Sequence, residues 1–487
     1  MALAMAVAAA WSPVHHASAQ HTAPTATLTE KDTDSDTETD LTDTDDEADA
    51  TQASTRINPL FDSVPPPPDY NRLDYRRYPW LNLSANHISM NGDNWQQLRH
   101  RLSQSDNGTP VRILLIGDSH IQGDAATGVV RHMLQQRFGN AGRGFVAPLK
   151  MIGSNQPRDY SISSSTRGWR GARLMKKPWA SEMLFTGTSI TPPPGRFDLT
   201  VEVAPSPCPR PFSEARIFYG GITPLVTAVT DQDGEPIEFY TDDSRQGCLF
   251  LSLDRLLEKC TIDFTTPGTT QIGGLQLFHN NDGGIEFSTI GNNGAAFQSY
   301  LGLDIGQGVA QTEPDLVIIA MGTNDAWGNM TDSQFTGSIS KLIKEIRATN
   351  PGVKIMLTTP AEAQKRHSTR VGTAATRRKG RKGRSRKKAR YATTYAPNQK
   401  VGHFRDLIVA YGRQHNIPVY DFYAVAGGNG SSHKWIANGL FGGDRVHLSW
   451  PGYTLMGQLH GDALLEALDT GSCPVEPGSE NVPSPMP

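Results

Sequence analysis

The sequence predicts an α/β fold in which a parallel sheet is covered by helices on both faces and interrupted by an antiparallel β-sandwich. Apolar strand-like runs alternate with amphipathic helical segments on both sides of a central region. That central region holds about a hundred residues of short alternating stretches separated by turn residues, a pattern typical of a sandwich. The chain has 487 residues, which is enough for two or three domains.

The strands of the parallel sheet are predicted from runs that are apolar throughout. Val111–Ile116 reads VRILLI and is closed by Gly117. Such a run is typical of a central strand that is buried on both faces. Similar runs stand at Pro314–Met321, Val353–Thr358 and Ile417–Phe422, and the predicted helices are Ala125–Arg137, Gln334–Arg347, Gln399–His415 and Pro451–Leu468. The α/β domain is therefore predicted to occupy residues 96–184 and 286–470.

The inserted sandwich is predicted over residues 185–285. Alternating stretches such as FDLTVEV, CLFLSL and CTIDF stand there between Gly, Pro, Asp and Asn turns. Cys248 and Cys260 lie within this region. They are either paired across a hairpin in an oxidising compartment or separate buried thiols, and their spacing does not decide between the two.

Both ends of the chain are predicted to lie outside the folded domains. Residues 1–19 read as a signal peptide that is cut after Ala19, which predicts a secreted or periplasmic protein. Residues 20–95 are acidic and Pro-rich and predict a disordered tether, and residues 471–487 predict a disordered tail. The sequence contains no run of apolar residues long enough for a transmembrane segment.

The net charge of −3 implies no general attraction to nucleic acid or membranes, although one segment is strongly basic. Arg377–Arg390 reads RRKGRKGRSRKKAR and is predicted to be an exposed loop within the α/β domain. The run lacks interleaved aromatic residues, and export makes nucleic acid a poor partner. A contact with an anionic wall or membrane polymer is the hypothesis that remains.

Three short motifs carry the candidate chemistry. Ser119 lies in Gly117-Asp118-Ser119-His120, directly after the first strand, where ligands bind in open α/β sheets. Asn324 lies in Gly322-Thr323-Asn324-Asp325 after another strand, and its amide can donate to an oxyanion. Asp444 stands three residues before His447, so its carboxylate can orient the imidazole as in a Ser-His-Asp triad.

Each motif also has an ordinary structural interpretation. A serine after a strand often caps the next helix, an Asn at a strand end often forms a turn, and an Asp near a His often makes a surface ion pair. The joint occurrence favours catalysis, because nucleophile, base, orienting acid and oxyanion donor are all supplied. Asp118 and Asp325 are expected to brace the turns, and His120 to shape the pocket.

The motifs GDSH, GTND and DRVH resemble three sequence blocks of the SGNH (GDSL) hydrolases, whose sheet is flavodoxin-like. The resemblance implies a further oxyanion donor, a glycine that follows a small polar residue. Gly294 in Gly291-Asn292-Asn293-Gly294-Ala295 fits this description best, and Gly291 is the alternate. The backbone N–H of Ser119 is the remaining donor of the implied oxyanion hole.

Within that superfamily the chain looks most like the bacterial peptidoglycan O-acetylesterases of the Ape type. GDSHIQGD at Gly117–Asp124, GNAGRGF at Gly139–Phe145 and the position of the sandwich support this. The resemblance implies an acetylesterase that acts on an acetylated glycan polymer, needs no metal or organic cofactor, and carries a carbohydrate-binding-module-like insert. Esterases of other acetylated polysaccharides or of lipids, and a non-catalytic glycan-binding protein, are the alternatives.

Overall fold

The structure is a computed structural model that describes residues 72–103, 109–204, 210–279, 283–375 and 387–469. Its strands are β1 Ile88–Ser89, β2 Val111–Gly117, β3 Gly144–Val146, β4 Tyr160–Ser163, β5 Arg170–Arg173, β6 Thr188–Thr191, β7 Gly195–Val203, β8 Phe212–Gly221, β9 Leu225–Asp231, β10 Phe239–Arg245, β11 Cys248–Leu257, β12 Lys259–Thr266, β13 Thr270–Phe278, β14 Ile285–Gly291, β15 Leu316–Ala320, β16 Lys354–Thr358, β17 Gln364–Ala375, β18 Lys387–Pro397 and β19 Val419–Tyr420. Its α-helices are α1 Gln96–Ser103, α2 Ser119–Gln122, α3 Ala125–Phe138, α4 Ile305–Gln311, α5 Asp332–Thr349, α6 Gln399–His415, α7 Phe422–Val425, α8 Ser431–Ala437 and α9 Trp450–Leu468.

The predicted α/β sheet is confirmed as a six-stranded sheet in the order β1-β19-β16-β15-β2-β14. Its five strands from β19 to β14 pair in parallel, and β1 adds an antiparallel edge strand. Strand β2 lies inside the sheet with all seven residues buried, as its apolar run predicts. The carboxyl ends of β2, β14 and β15 therefore meet at one edge.

Helices cover both faces of this sheet, because alternate side chains of each strand point to opposite sides. On β2, Leu114 and Ile116 pack into one core that also contains buried residues of α4, α5 and α6. Ile113 and Leu115 pack into a second core with residues of α1, α3 and α9. None of the helices in the described ranges is long and apolar enough to cross a membrane.

The inserted region forms two antiparallel sheets. One has the order β10-β11-β8-β13-β6-β5 with β3 also paired to β13, and the other has the order β4-β7-β12-β9. Apolar side chains from both sheets, such as Ile217 and Leu199, form one buried cluster, which is how a sandwich core is built. Strands β3, β4 and β5 precede residue 185, so the antiparallel pairing starts earlier than the predicted boundary.

The predicted disordered tether of residues 20–95 is corrected at its end. Residues 72–95 belong to the α/β domain, because β1 pairs with β19 and the Trp95 side chain is completely buried. The signal peptide, the rest of the tether and the tail 471–487 lie outside the described residues.

The predicted basic loop is also corrected. Residues on both sides of its centre form the antiparallel hairpin β17–β18. Gln364 pairs with Pro397 at one end of the two strands, and Ala375 pairs with Lys387 at the other. The run Arg377–Arg390 thus continues onto β18 at residues 387–390, while residues 376–386 lie outside the described ranges. A run of like charges lacks the apolar alternation that predicts a strand. Two strands pair through hydrogen bonds between their backbone groups, however, and the pattern of charged side chains does not reveal these bonds.

Cys248 and Cys260 are separate buried thiols rather than a pair. Strands β11 and β12, which carry them, belong to different sheets of the sandwich. Burial raises the pKa of the Cys248 thiol to about 11.

Candidate active site

The turn after β2 places Ser119 at the start of a short helix. The carboxylate of Asp118 accepts a hydrogen bond from the His120 backbone N–H at 2.9 Å and so caps α2. A Cβ atom at Gly117 would lie 2.3 Å from Ile121 and 2.7 Å from the Ala320 carbonyl oxygen, so only glycine fits there. The tight turn leaves Ser119 half-buried at the edge of the sheet.

The imidazole of His447 lies between Ser119 and Asp444. Its Nε2 is 2.8 Å from the Ser119 Oγ, and its Nδ1 is 2.6 Å from the Asp444 Oδ2. The other oxygen of Asp444 accepts from the backbone N–H groups of Val446 and His447 at 2.9 and 3.0 Å. Geometry of this kind lets the imidazole accept the serine proton while the carboxylate holds its ring in place.

The environment keeps Asp444 ionised. Partial burial opposes its charge, but the hydrogen bond and the charge of His447 lower the pKa of the Asp444 carboxyl below its usual value. The carboxylate is therefore available to orient His447 and to stabilise an imidazolium over the whole neutral range.

Asn324 and Gly294 lie where the sequence places them, in the loops after β15 and β14. The Asn324 amide donates to the Ala295 carbonyl oxygen at 2.9 Å and lies 3.4 Å from an Asp118 oxygen. Gly294 has a φ of 78°, and a Cβ atom there would lie 3.6 Å from the Met175 side chain. In the described part of the chain, the backbone N–H groups of Ser119 and Gly294 donate no hydrogen bond to another protein group. Both can therefore donate to an oxyanion.

The alternate donor Gly291 has a packing role instead. It is paired with Gly117 at the end of the parallel ladder. A Cβ atom on Gly291 would lie 2.2 Å from the backbone nitrogen of Gln122. The close approach of α2 to β14 therefore requires glycine at this position.

Two side chains to which the sequence analysis assigns no role, Tyr300 and Gln122 of the GDSHIQGD motif, hold these loops together. The Tyr300 hydroxyl donates to the Gly117 carbonyl oxygen at 2.6 Å and accepts from the Asn292 amide at 3.0 Å. The Gln122 Oε1 accepts from the Asn293 backbone N–H at 2.9 Å. Neither residue type carries a motif signal, because each acts through contacts between segments far apart in the chain.

A buried ionic network ties α3 to the sandwich. Asp124 lies between Arg131 at 2.7 Å and Arg143 at 2.5 Å, and Arg143 also contacts Asp159 at 2.9 Å. Burial opposes the charge of Asp124, yet the two guanidinium groups lower its pKa to about 2. The network accounts for Asp124 of the GDSHIQGD motif and Arg143 of the GNAGRGF motif as structural supports.

His120 faces the site without contacting Ser119 in the way that His447 does. Its Nδ1 is 3.1 Å from the Tyr453 hydroxyl, and its ring centroid is 5.4 Å from that of His447. Burial and the neighbouring charge of His447 lower the pKa of His120 to about 3, so its ring is neutral at physiological pH. This environment suits a wall of the pocket, as the sequence predicts.

Asp118 and Asp325 are buried carboxyls that brace the turns. Asp325 accepts from the Phe297 backbone N–H at 3.2 Å, while its second oxygen has no partner in the described structure. Burial raises the pKa of Asp325 to about 7 and that of Asp118 to about 6. A group of three or more His, Cys, Asp or Glu that could hold a metal is not found within the described ranges.

The raised pKa of Asp325 makes the stability of the fold depend on pH. Ionising a buried carboxyl whose pKa rises from 3.8 to about 7 costs the folded state about 4 kcal/mol. The stabilising contribution of the protonated carboxyl is fully present below about pH 4 and is lost as the pH rises through about 7. Asp325→Asn cannot ionise at this position. Its free energy of unfolding relative to that of the wild type should therefore increase by about 2–4 kcal/mol from pH 4.5 to pH 8.5.

Urea unfolding of both proteins at the two pH values measures this change. The exposed Asp233→Asn, on a turn of the sandwich, provides a matched control and should not alter the pH dependence of the free energy of unfolding. Parallel pH dependences for the wild type and Asp325→Asn would show that Asp325 does not titrate as described.

Residues 276–455 match the GDSL-like lipase/acylhydrolase family. The matched segment contains Gly294, Asn324, Asp444 and His447 and begins after Ser119. Together with the α/β sheet and the loops at its carboxyl edge, this match shows that residues 276–455, less than half of the chain, form part of a GDSL-like lipase/acylhydrolase (SGNH) domain.

Among solved structures, the fold is similar to that of a peptidoglycan O-acetylesterase. The TM-score is 0.59 and the identity 21%, and the likeness covers 80% of this chain and 98% of the other. A GDSL-like lipase from Bacteroides thetaiotaomicron is 20% identical with a TM-score of 0.26, over 37% of this chain and 76% of its own. At such identities, the first likeness shows the fold alone. No curated protein matches the sequence.

Proposed function

We propose that this protein is a serine esterase that removes O-acetyl groups from a cell-wall glycan, with O-acetylated peptidoglycan as its substrate. The observation that carries the proposal is the position of His447 between Ser119 and Asp444. A serine on a tight turn, a histidine within hydrogen-bond reach and a carboxylate behind it supply the parts of a nucleophilic acyl transfer.

In the first half of the reaction, the Ser119 Oγ attacks the acetyl carbonyl carbon while His447 Nε2 takes the hydroxyl proton. The carbonyl oxygen becomes an oxyanion that accepts from the backbone N–H groups of Ser119 and Gly294 and from the Asn324 amide. The intermediate collapses when the bond to the sugar oxygen breaks. His447 returns its proton to that oxygen, which leaves a free sugar hydroxyl and an acetylated serine.

In the second half, a water molecule attacks the acetyl-serine carbonyl while His447 Nε2 accepts one of its protons. The same donors stabilise the second oxyanion. The intermediate then collapses, His447 returns its proton to the Ser119 oxygen, and acetic acid leaves and loses its remaining proton to solvent as acetate. Asp444 stays ionised throughout and stabilises the imidazolium that forms in each half.

The oxyanion role of Asn324 predicts a selective loss of rate. Asn324→Ala should lower kcat for acetyl-ester hydrolysis about 10²–10³-fold with little change in KM, because the lost hydrogen bond forms mainly in the transition state. Steady-state kinetics on a small acetyl ester measure the effect. Asn329→Ala, an exposed substitution a few residues further on, is the matched control. A larger KM at unchanged kcat would instead assign Asn324 to ground-state binding.

The substrate assignment is supported by the sequence motifs of the peptidoglycan O-acetylesterase type and by the similarity in fold to such an enzyme. The sandwich has the size and build of a carbohydrate-binding module, and we propose that it binds the glycan. An enzyme with this substrate acts in the cell envelope, which agrees with the signal peptide expected from the sequence.

The substrate is tested by acetate release from purified peptidoglycan. O-acetylated and base-deacetylated polymers are incubated with the wild type and with Ser119→Ala. We expect release from the acetylated polymer alone and only when Ser119 is present. Ser119-dependent cleavage of a small acetyl ester without release from peptidoglycan would retain the esterase and redirect the search to other acetylated polysaccharides or lipids. Inactivity on every ester would favour a non-catalytic glycan-binding protein.

A further inference from the structure

The hairpin β17–β18 begins beside the loop that carries Asp444 and His447. The Gln364 backbone N–H donates to the Arg445 carbonyl oxygen at 3.0 Å, and the Arg445 guanidinium donates to the Gln364 side-chain oxygen at 3.0 Å. Arg445 also lies over the ring of Tyr395, 4.2 Å from its centroid. The base of the hairpin is therefore attached to the residue that directly follows Asp444.

One face of the hairpin presents arginines opposite tyrosines. Arg366 is paired with Tyr395 and Arg370 with Tyr391, so these four side chains lie on the same side of the ribbon, here called the Arg–Tyr face. Arg366, Arg370 and Tyr391 are exposed, and Tyr395 is half-buried. The two tyrosines are about 13 Å apart along the strand, which is the length of a short oligosaccharide.

The charge of the hairpin has a single sign. Its two strands, residues 364–375 and 387–397, contain six Lys and Arg and neither Asp nor Glu. An exposed two-stranded ribbon with this composition gains little stability from its own charges, because they repel one another. Such a surface fits a partner that carries many negative groups.

We propose that the Arg–Tyr face binds the anionic glycan whose acetyl groups the active site removes, and so acts as a docking surface for substrate strands. Exposed tyrosine rings stack on the apolar faces of sugars, and guanidinium groups pair with carboxylates in a bidentate manner. Peptidoglycan supplies sugar faces in its glycan chain and carboxylates in its peptides. A glycan chain bound at Ser119 can continue along the Arg–Tyr face, because Arg445 and Tyr395 connect the catalytic loop to this face.

This inference rests on the proposed function, and its test separates the two. The double variant Arg366→Ser/Arg370→Ser removes both charges from the face, while Lys341→Ser/Lys344→Ser removes two exposed charges from helix α5 as a control. Kinetics are measured on a small acetyl ester, on O-acetylated peptidoglycan, and on the same polymer after its carboxylates are converted to methylamides.

The arginine variant should raise KM for the unmodified polymer about threefold to tenfold at low salt, with kcat and small-ester kinetics unchanged. The increase should shrink at high salt and disappear on the amidated polymer, because it reflects charge pairing. Unchanged small-ester kinetics also show that the variant folds.

Three kinetic results would overturn the inference: a polymer KM equal to that of the lysine control, an equal increase on the amidated polymer, or a loss of small-ester activity. If the arginine variant lost binding to single-stranded RNA while its polymer kinetics stayed unchanged, the Arg–Tyr face would be assigned to nucleic acid. That result would equally overturn the inference. If the wild type cleaves no ester, the proposed function fails, and sedimentation with intact peptidoglycan then tests the face alone. Retained sedimentation of the arginine variant would overturn the inference.

Discussion

Ser119→Ala is expected to lower kcat for acetyl-ester hydrolysis by about 10⁴–10⁶-fold. The substitution removes the hydroxyl oxygen that lies 2.8 Å from His447 Nε2, so no acyl-enzyme can form. The oxyanion donors and the orienting carboxylate remain, and they account for the residual rate over water. Helix α2 is capped by Asp118 rather than by Ser119, so we expect the fold to be unaffected.

Burst kinetics and mass spectrometry of the acetylated protein check this result. An acetyl group on Ser119 should accumulate in the wild type when a fast-releasing ester is used, and it should be absent from the variant. The double variant Ser119→Ala/His447→Ala should be no slower than Ser119→Ala, because the two residues act as a unit. A variant that retains more than about a hundredth of the wild-type rate would contradict the assignment of Ser119.

The second large effect is expected for Asp444→Asn, which should lower kcat about 10⁴-fold. The amide oxygen of the substituted side chain can still accept from the backbone N–H groups of Val446 and His447, so the loop should keep its shape. The amide nitrogen would then face His447 Nδ1 as a donor, which leaves the imidazole proton on Nε2. A histidine in that tautomer cannot accept the Ser119 proton.

The chain offers a matched control for this substitution. His403 and Asp332 form a similar exposed pair at 2.8 Å, and neither residue is part of the proposed site. Asp332→Asn should leave kcat unchanged. Because the pKa of Asp444 is lowered, its protonation should not set the acid limb of the pH–rate profile of the wild type. Equal rates for wild type and Asp444→Asn from about pH 6 to about pH 9 would remove Asp444 from the mechanism.

The strongest elements of the fold follow from local physics. The run Val111–Gly117 is apolar at nearly every position, as a buried parallel strand requires, and the structure places it inside the sheet. Helix α6 has the bounds that the sequence predicts, Gln399–His415, and Asn398 and Asn416 cap its two ends. Residues 72–95 were misjudged, because a polar, Pro-rich preceding segment obscures a two-residue edge strand and a single buried tryptophan.

The candidate site likewise has features that the sequence indicates and features that only the structure shows. The sequence by itself indicated which residues can carry the chemistry, because Ser119 and Asn324 each follow a predicted strand and Asp444 shares a short loop with His447. Gly294 is indicated only by the resemblance to the SGNH hydrolases. Only the tertiary structure decided that His447 meets a serine 328 positions away, that Gly291 serves packing, and that burial shifts the pKa of Asp325. It also decided that residues 364–375 and 387–397 pair as a hairpin whose base contacts the loop of Asp444 and His447. Distances and burial of this kind arise from contacts between remote segments, which no local pattern of residues encodes.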